Sequence, residues 1–383
     1  MFSMMYVVKA ILLIVGILIL SGIVGFYVVN KEKLPVQSIS KTAPDSISTD
    51  APTIEVVAQG LDTPWALAFL PGGDILVTER PGNVRLVTNG QLQSAPIATL
   101  PQVKEIGEGG LLGIDIDPDF TNNHFVYLYY TYADNQGDTL NRVVKMTFEN
   151  NTLTQEKILV DAIPGSSNHN GGRIKFGPDG YLYITTGDAE NPSQAQSTNS
   201  LAGKILRVDT NGKAAPGNPF GNRVYSYGHR NPQGLVWTES QSSGETPQLI
   251  STEHGRSIPV SGLDEINVIQ PGKNYGWPEI QGDEKKAGMQ TPDINSGSST
   301  WAPADIALIN GELFFAGLRG KALYRTDLET KKIDEYFKNE YGRIREVIVG
   351  TNGLLYITTS NKDGRGVPLT GDDKIIRLNP SKL

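Results

Sequence analysis

Beyond residue 52 the chain repeats one hydropathy phrase. A short run alternates apolar with small or polar positions, a turn of Pro, Gly, Asp or Asn follows, and a second run rich in β-branched and aromatic residues comes after it. The phrase is clearest at residues 65–80 (WALAFLPGGDILVTER), 112–132 (LGIDIDPDFTNNHFVYLYYTY) and 173–188 (RIKFGPDGYLYITTGD). It returns at 234–255, at 304–325 (ADIALINGELFFAGLRGKALYR) and at 345–363 (REVIVGTNGLLYITTSNKD). A period of two on either side of a tight turn predicts a β-hairpin. The six phrases start about 40 to 70 residues apart, and a period of about 40–50 residues with extra loop length is the mark of a propeller. Convincing helical periodicity is missing. The expectation is all-β: a six-bladed β-propeller over residues 53–383. A pair of β-sandwiches would use the same strands and turns, without the regular recurrence. In a closed ring, residues 53–58 (TIEVVA) and 374–378 (KIIRL) would share the last blade and remove its exposed edge.

The pattern before residue 53 is different. Residues 10–29 (AILLIVGILILSGIVGFYVV) form an uncharged run that matches the roughly 20 residues a helix needs to cross a bilayer. A cleaved signal has a shorter core, about 7–15 residues, and ends in small residues, whereas this run ends in Phe26, Tyr27, Val28 and Val29. Residues 1–33 are therefore expected to be an N-terminal membrane anchor or uncleaved signal. Lys9 on one side and Lys31 and Lys33 on the other leave orientation unsettled by charge; the short N-terminus makes N-in, C-out the simpler arrangement, with the propeller outside the cytoplasm. Residues 34–52 (LPVQSISKTAPDSISTDAP) read as a Ser/Thr/Pro-rich linker with little to bury.

Charge and cysteine narrow the partners. Net charge is −7, and the first 30 residues carry only Lys9. So acidic a body is a poor match for nucleic-acid phosphates. The absence of Cys excludes a lipoprotein anchor and permits an oxidising compartment.

Candidate chemistry gathers in the loops beside the strands. His169, in GSSNHNGGR (165–173), is one of four histidines; set between two Asn just before a strand, it is either a general base or a loop imidazole tying down backbone groups. His229, Arg230 and Asn231 meet in YGHRNPQGL (227–235), where the Arg230 fork could hold an anion or the cluster could be an ordinary capped turn. Residues 253–277 combine Asp264 and Glu265 with carbonyl-exposing turns. Those are oxygen ligands of the kind calcium takes, although the spacing is not that of an EF-hand; a solvated acidic loop is the alternative. Arg343 and Arg345, two apart in YGRIRE, would point to one face of a strand. Such a like-charge pair suits a small polyanion, and a solvated face is the alternative.

Taken in order, GEGGLLG (107–113), NHNGGR (168–173), GHRNPQGL (228–235), EHG with DEIN and KNYGWP (253–278), and GRIREV (342–347) resemble the soluble quinoprotein glucose and aldose sugar dehydrogenases, most closely the aldose-type branch. The likeness runs from about residue 55 to the end. It implies oxidation of an aldose at its anomeric C1 hydroxyl by hydride transfer to pyrroloquinoline quinone. His169 matches the family's base and Arg230 the residue that steadies charge near the quinone. Asn231, Arg319, Arg343 and Arg345 match cofactor contacts. The carbonyls of Gly255 and Arg256 resemble ligands of a calcium ion on the quinone, and Glu265 with the carbonyl of Tyr275 resembles a second calcium site. Electrons would pass to a membrane carrier the sequence does not identify, and a homodimer is compatible with it.

Three positions depart from the family pattern. Glu108 stands where several members have a Gln near substrate and cofactor; a carboxylate there needs a proton or an Arg partner. Arg319 replaces a Lys that meets a cofactor carboxylate, and Asn168 replaces the Asp of the glucose-type enzymes. Two other functions stay open: a non-catalytic surface propeller that has lost the cofactor, and a calcium-dependent lactone hydrolase, whose axial side-chain carboxylates this chain does not show.

Overall fold

The computed structural model describes residues 53–239, 246–257 and 261–383. The expected membrane-spanning run at 10–29 and the linker at 34–52 lie outside the described residues. No described helix is long and apolar enough to cross a membrane.

Each hydropathy phrase becomes the first two strands of an antiparallel blade. Blade 1 pairs Pro64–Phe69, Ile75–Glu79, Asn83–Thr88 and the short Gln91–Leu92 and Ala98–Thr99. Blade 2 holds Leu111–Ile116, Phe125–Ala133, Thr139–Glu149 and Thr152–Pro164. Blade 3 holds Ile174–Phe176, Leu182–Thr186, Lys204–Val208 and Val224–Tyr227. In blade 4 the strands are Pro232–Trp237, Leu249–Glu253, Glu265–Ile269 and Ile294–Asn295. Blade 5 is Pro303–Ile309, Glu312–Gly317, Ala322–Thr326 and Asp334–Tyr336. Blade 6 takes Ile344–Val349, Leu355–Thr359 and Lys374–Leu378 from the end of the chain and its outer strand, Ile54–Gln59, from the beginning. The expected six-bladed all-β propeller is therefore present, closed by the two segments expected to close it, in the register Ile54 opposite Leu378 and Val56 opposite Ile376.

Second strands are buried along almost their whole length and inner strands towards their starts, because each blade is sandwiched between its neighbours. Small residues let them approach: a Cβ on Gly113 would meet the carbonyl of Gly172, and one on Gly234 that of Ala304. In blades 1, 2, 4, 5 and 6 the pairing of first and second strands slips once near the start of the first strand. Such bulges re-aim side chains at the end of a sheet, and here that is where the polar clusters of the sequence sit.

A cluster of charges occupies the axis. Arg173 of blade 3 meets Asp305 of blade 5 at 3.2 Å and Glu346 of blade 6 at 2.8 Å. Lys175 meets Asp305 at 3.0 Å. Arg173 also donates to the Gln233 carbonyl of blade 4 and lies 4.4 Å from the Trp65 ring of blade 1.

Closure makes a prediction. Ile376 is fully buried while its register partner Val56 is half exposed. Ile376→Ala is expected to lower unfolding free energy by about 2–5 kcal/mol, and Val56→Ala by under about 0.5 kcal/mol, measured by denaturant unfolding.

Candidate active site

First strands begin and second strands end at one face of the ring, and a cleft of about 720 Å³ opens there. Seven arginines and five carboxylates line it among the described residues. His169, Glu108, Arg230, Gly255, Arg256, Arg319, Arg343 and Arg345 all reach its wall. Asn231, Glu265 and Tyr275 do not.

His169 sits in the loop before blade 3 with φ 57°, a left-handed conformation that costs a non-glycine residue about 1–2 kcal/mol. Neighbours hold it there. Its N–H donates to Glu108 Oε2 at 3.1 Å, and its carbonyl accepts from the N–H of Ala189. Gly187 packs so closely beneath it that a Cβ would collide with that carbonyl. The imidazole Nδ1 lies 2.8 Å from Asp188 Oδ1. Asp188 is fully buried, and its Oδ2 accepts the indole N–H of Trp277 at 2.8 Å. With Nδ1–H donating to the carboxylate, Nε2 is left as the basic nitrogen.

Arg230, across the cleft, donates to the His254 carbonyl at 3.3 Å and to Ser257 Oγ at 3.1 Å, and stands 5.5 Å from the Trp277 ring. Its own N–H donates to Glu253, whose other oxygen is 2.8 Å from His229 Nδ1. His229 is wholly buried, bonded also to Ser226 and stacked on Tyr275, which makes it a structural imidazole. His254 lines the cleft with a buried Nε2 that has no partner among the described residues; burial drives its pKa down to about 3, so the ring is neutral.

The arginine pair reaches one cavity by a route other than simple alternation. Arg343 precedes the strand and Arg345 sits in its bulge. Arg343 is neutralised by Asp363 at 2.7 Å. Arg345 donates to Gln233 Oε1 at 2.6 Å, keeps a buried Nε without a partner among the described residues, and has its proton affinity lowered chiefly by burial, with Arg343 adding to the effect. Arg319 is exposed on the rim. Asn231 lies behind the His169 loop, accepting from the Gly171 N–H with its Nδ2 buried and unpartnered among the described residues. Unsatisfied buried donors at Arg345, Asn231 and Arg256 around a cation-rich cleft fit a small polyanion that brings acceptors.

Glu108 is ionised and paired. Arg365 meets its Oε1 at 2.5 Å. Although burial opposes ionisation, the Arg365 guanidinium and the His169 N–H hold its pKa down at about 2.

The expected metal ligands divide. Asp264 is spent on the backbone, accepting from the N–H groups of Gly255, Trp301 and Ala302. The Arg256 carbonyl accepts from the Gly262 N–H at 3.3 Å. Gly255, Arg256 and Glu265 border a second, much smaller space beside the cleft, together with Gln281, whose buried Oε1 has no partner among the described residues. Burial, then Glu253 and Asp264, push Glu265 up to about 8, which a hard cation would reverse. Among the described residues no three His, Asp or Glu side chains converge on one point. A cation here would therefore lean on backbone carbonyls. Tyr275 is buried against His229, away from the main cleft.

The model of the family described as Glucose / Sorbosone dehydrogenase matches residues 61–373. The chain belongs to that family. Aldose sugar dehydrogenase YliI of Escherichia coli strain K12 is 32% identical to it over 345 residues, 81% of this chain and 91% of the relative. The solved PQQ-bound form of the aldose sugar dehydrogenase from Streptomyces coelicolor is 40% identical, covering 86% of this chain and 99% of that one with a TM-score of 0.77. The apo-form of the soluble aldose sugar dehydrogenase from Escherichia coli is 30% identical over 85% of this chain and 98% of that one, with a TM-score of 0.74.

In this glucose/sorbosone dehydrogenase family member, sequence reading passed over Asp188, Asp363 and Arg365. The first two carry a signal. Leu182–Thr186 and Leu355–Thr359 are both LYITT, and an acid follows each: Asp188 reaching back to His169, Asp363 to Arg343. Glu253 ends the second strand of blade 4 and reaches back to His229 in the same way. Superposing the hairpin phrases would have exposed this. No local signal marks Arg365.

The Trp277 bond is testable. Trp277→Phe leaves a buried charged oxygen of Asp188 short of a donor and is expected to cost about 1–3 kcal/mol of stability, read from urea unfolding.

Proposed function

We propose that this protein oxidises the anomeric C1 hydroxyl of aldose sugars to the lactone, using pyrroloquinoline quinone with calcium, in a domain held outside the cytoplasm by the N-terminal anchor. Family membership makes it an oxidoreductase acting on the CH–OH group of sugars; cofactor, metal, product and location are the parts proposed. The single observation carrying the reading is the His169–Asp188 pair facing an arginine-lined cleft with unsatisfied buried donors.

When bound, the quinone supplies a two-electron acceptor for the hydride from C1. His169 Nε2, freed by the Asp188 bond at Nδ1, takes the proton from the C1 hydroxyl, so that loss of proton and hydride leaves a C1 carbonyl. Arg230, aimed by the His254 carbonyl and Ser257, faces the negative charge that develops opposite the base. Arg343, Arg345 and Arg319 would hold the cofactor's carboxylates; Asn231 Nδ2 and the buried Arg345 Nε are donors in want of acceptors. The carbonyls of Gly255 and Arg256 would hold a calcium ion beside the cofactor, a Lewis acid contributing several kcal/mol in such sites. Glu265 and the Tyr275 carbonyl would hold a second, structural one. Electrons would leave for a carrier in the membrane.

The test is aldose-dependent dye reduction by the purified protein with pyrroloquinoline quinone and calcium, following cofactor binding by absorbance. Turnover is expected to need both additives and to be abolished by chelation. His169→Ala and Asp188→Asn should lower kcat by about 10²–10⁴-fold with the cofactor still bound, and Arg345→Ala should weaken cofactor binding itself. Cofactor binding without turnover of any aldose would reject the substrate class. No cofactor binding would reject the quinoprotein reading in favour of a non-catalytic binding module.

A further inference from the structure

Arg365 belongs to the loop between the second and third strands of blade 6, across the cleft from the loops that carry Glu108 and His169. Its two terminal nitrogens do different things. One meets Glu108 Oε1 at 2.5 Å and the other donates to Asn168 Oδ1 at 2.7 Å. Its own loop is anchored, since the N–H groups of Arg365 and Gly366 both donate to Asp363 Oδ1, and Asp363 is the partner of Arg343.

Glu108 in turn clasps the His169 loop twice. Its N–H donates to the Ser167 carbonyl at 2.7 Å, and its Oε2 accepts the His169 N–H at 3.1 Å. Asn168, pinned by Arg365 on its carbonyl side, donates its amide to Glu190 Oε1 at 3.0 Å. The imidazole is thus gripped at Nδ1 by Asp188, and its left-handed backbone is gripped by a carboxylate that lies mostly buried in the cleft. A buried carboxylate without a counter-charge takes a proton or swings towards another cation, and Arg80, Arg345 and Arg230 line the same cleft. The grip on His169 therefore depends on a guanidinium far away in sequence.

We propose that Arg365 is a positioning residue for His169: by neutralising Glu108 and pinning Asn168 with the two arms of one fork, it locks the base loop from across the mouth of the cleft. This rests on the proposed role of His169 as base. It also supplies a reason for a carboxylate at position 108, which is compatible with an anionic ligand in the cleft because Arg365 cancels its charge first.

The experiment compares Arg365→Ala alone and in a Glu108→Gln background, in the full chain loaded with quinone and calcium. Three readouts are taken: kcat and KM for an aldose, cofactor affinity by absorbance, and hydrogen exchange of the amides at 165–170. A glutamine at position 108 is neutral and needs no counter-ion, yet its side-chain carbonyl can still accept the His169 N–H. The single variant is expected to lower kcat about ten-fold or more, as small misplacements of a catalytic group do, and to speed amide exchange in that loop. KM and cofactor affinity should stay within about three-fold. In the Glu108→Gln background the same substitution removes only the Asn168 arm, so the loss of kcat and the gain in exchange should both be clearly smaller than in the wild-type background. Arg365→Lys, which keeps the charge and loses the fork, should fall between. An equal loss in both backgrounds, or an effect confined to KM, would make Arg365 a substrate contact and overturn the proposal. Unchanged loop exchange in Arg365→Ala would overturn it too. If the wild-type protein turns over no aldose, the dehydrogenase reading fails and the exchange comparison alone decides the clamp. Should Arg365→Ala not fold, Arg365→Gln takes its place with the same outcomes.

Discussion

Arg173 stands where the six blades meet, and it touches most of them at once. It is an ion partner to blades 5 and 6, a donor to a blade 4 carbonyl and a cation against the blade 1 indole, and it immediately precedes the first strand of blade 3. Buried ion pairs contribute little net stability, but removing one member leaves a charge that nothing solvates. The cluster therefore acts chiefly as a constraint on register. An Asp of blade 5, a Glu of blade 6 and a backbone carbonyl of blade 4 must converge on one guanidinium, which constrains how far each first strand runs along the axis. The residues of the cleft sit close before those strands, so their mutual distances follow from the same constraint. Gln233 shows the link within one residue: its carbonyl holds Arg173 and its side chain holds Arg345.

Above the axis a second device recurs. The acid at or just past the end of a blade's second strand reaches back to the loop before its first strand. Asp188 takes the His169 imidazole, Glu253 the His229 ring and the Arg230 N–H, Asp363 the Arg343 guanidinium, and Glu79 the Asp62 N–H. The geometry is alike each time, because the two strands are hydrogen-bonded neighbours and their ends lie side by side. What differs is the group being held. One scaffold position thus serves as orienter of an imidazole, backbone cap or counter-ion according to its partner.

The blades were legible because their information is local: a period of two on either side of a tight turn declares a hairpin, and six recurrences declare the ring. Even closure could be anticipated from two leftover strand-like segments at opposite ends. The polar loops were legible as clusters for the same reason. The pairings within them were not. His169 and Asp188 are 19 positions apart and Arg343 and Asp363 are 20 apart, a distance set by hairpin length. Arg365 and Glu108 are 257 apart and meet only because the ring closes. Family resemblance placed residues at the cleft without showing what surrounds them: Glu108 looked like a liability in want of a partner, and its counter-ion lay in blade 6. The arginine pair was expected from alternation along a strand, whereas a bulge delivers the second arginine.

The cleft's surplus of arginine over carboxylate is set into a body whose net charge is strongly negative. The two fields have different ranges. At physiological salt, charges are felt over about 8 Å, so a polyanion drifting towards the molecule meets the acidic body first and the basic cleft only at its mouth. Adding salt would weaken the outer repulsion before it reached the inner attraction, which operates among buried groups that ions screen poorly. Association of an anionic ligand should therefore quicken with ionic strength while its retention once inside changes little, so that the charge pattern of the fold separates the ease of loading from the tightness of holding.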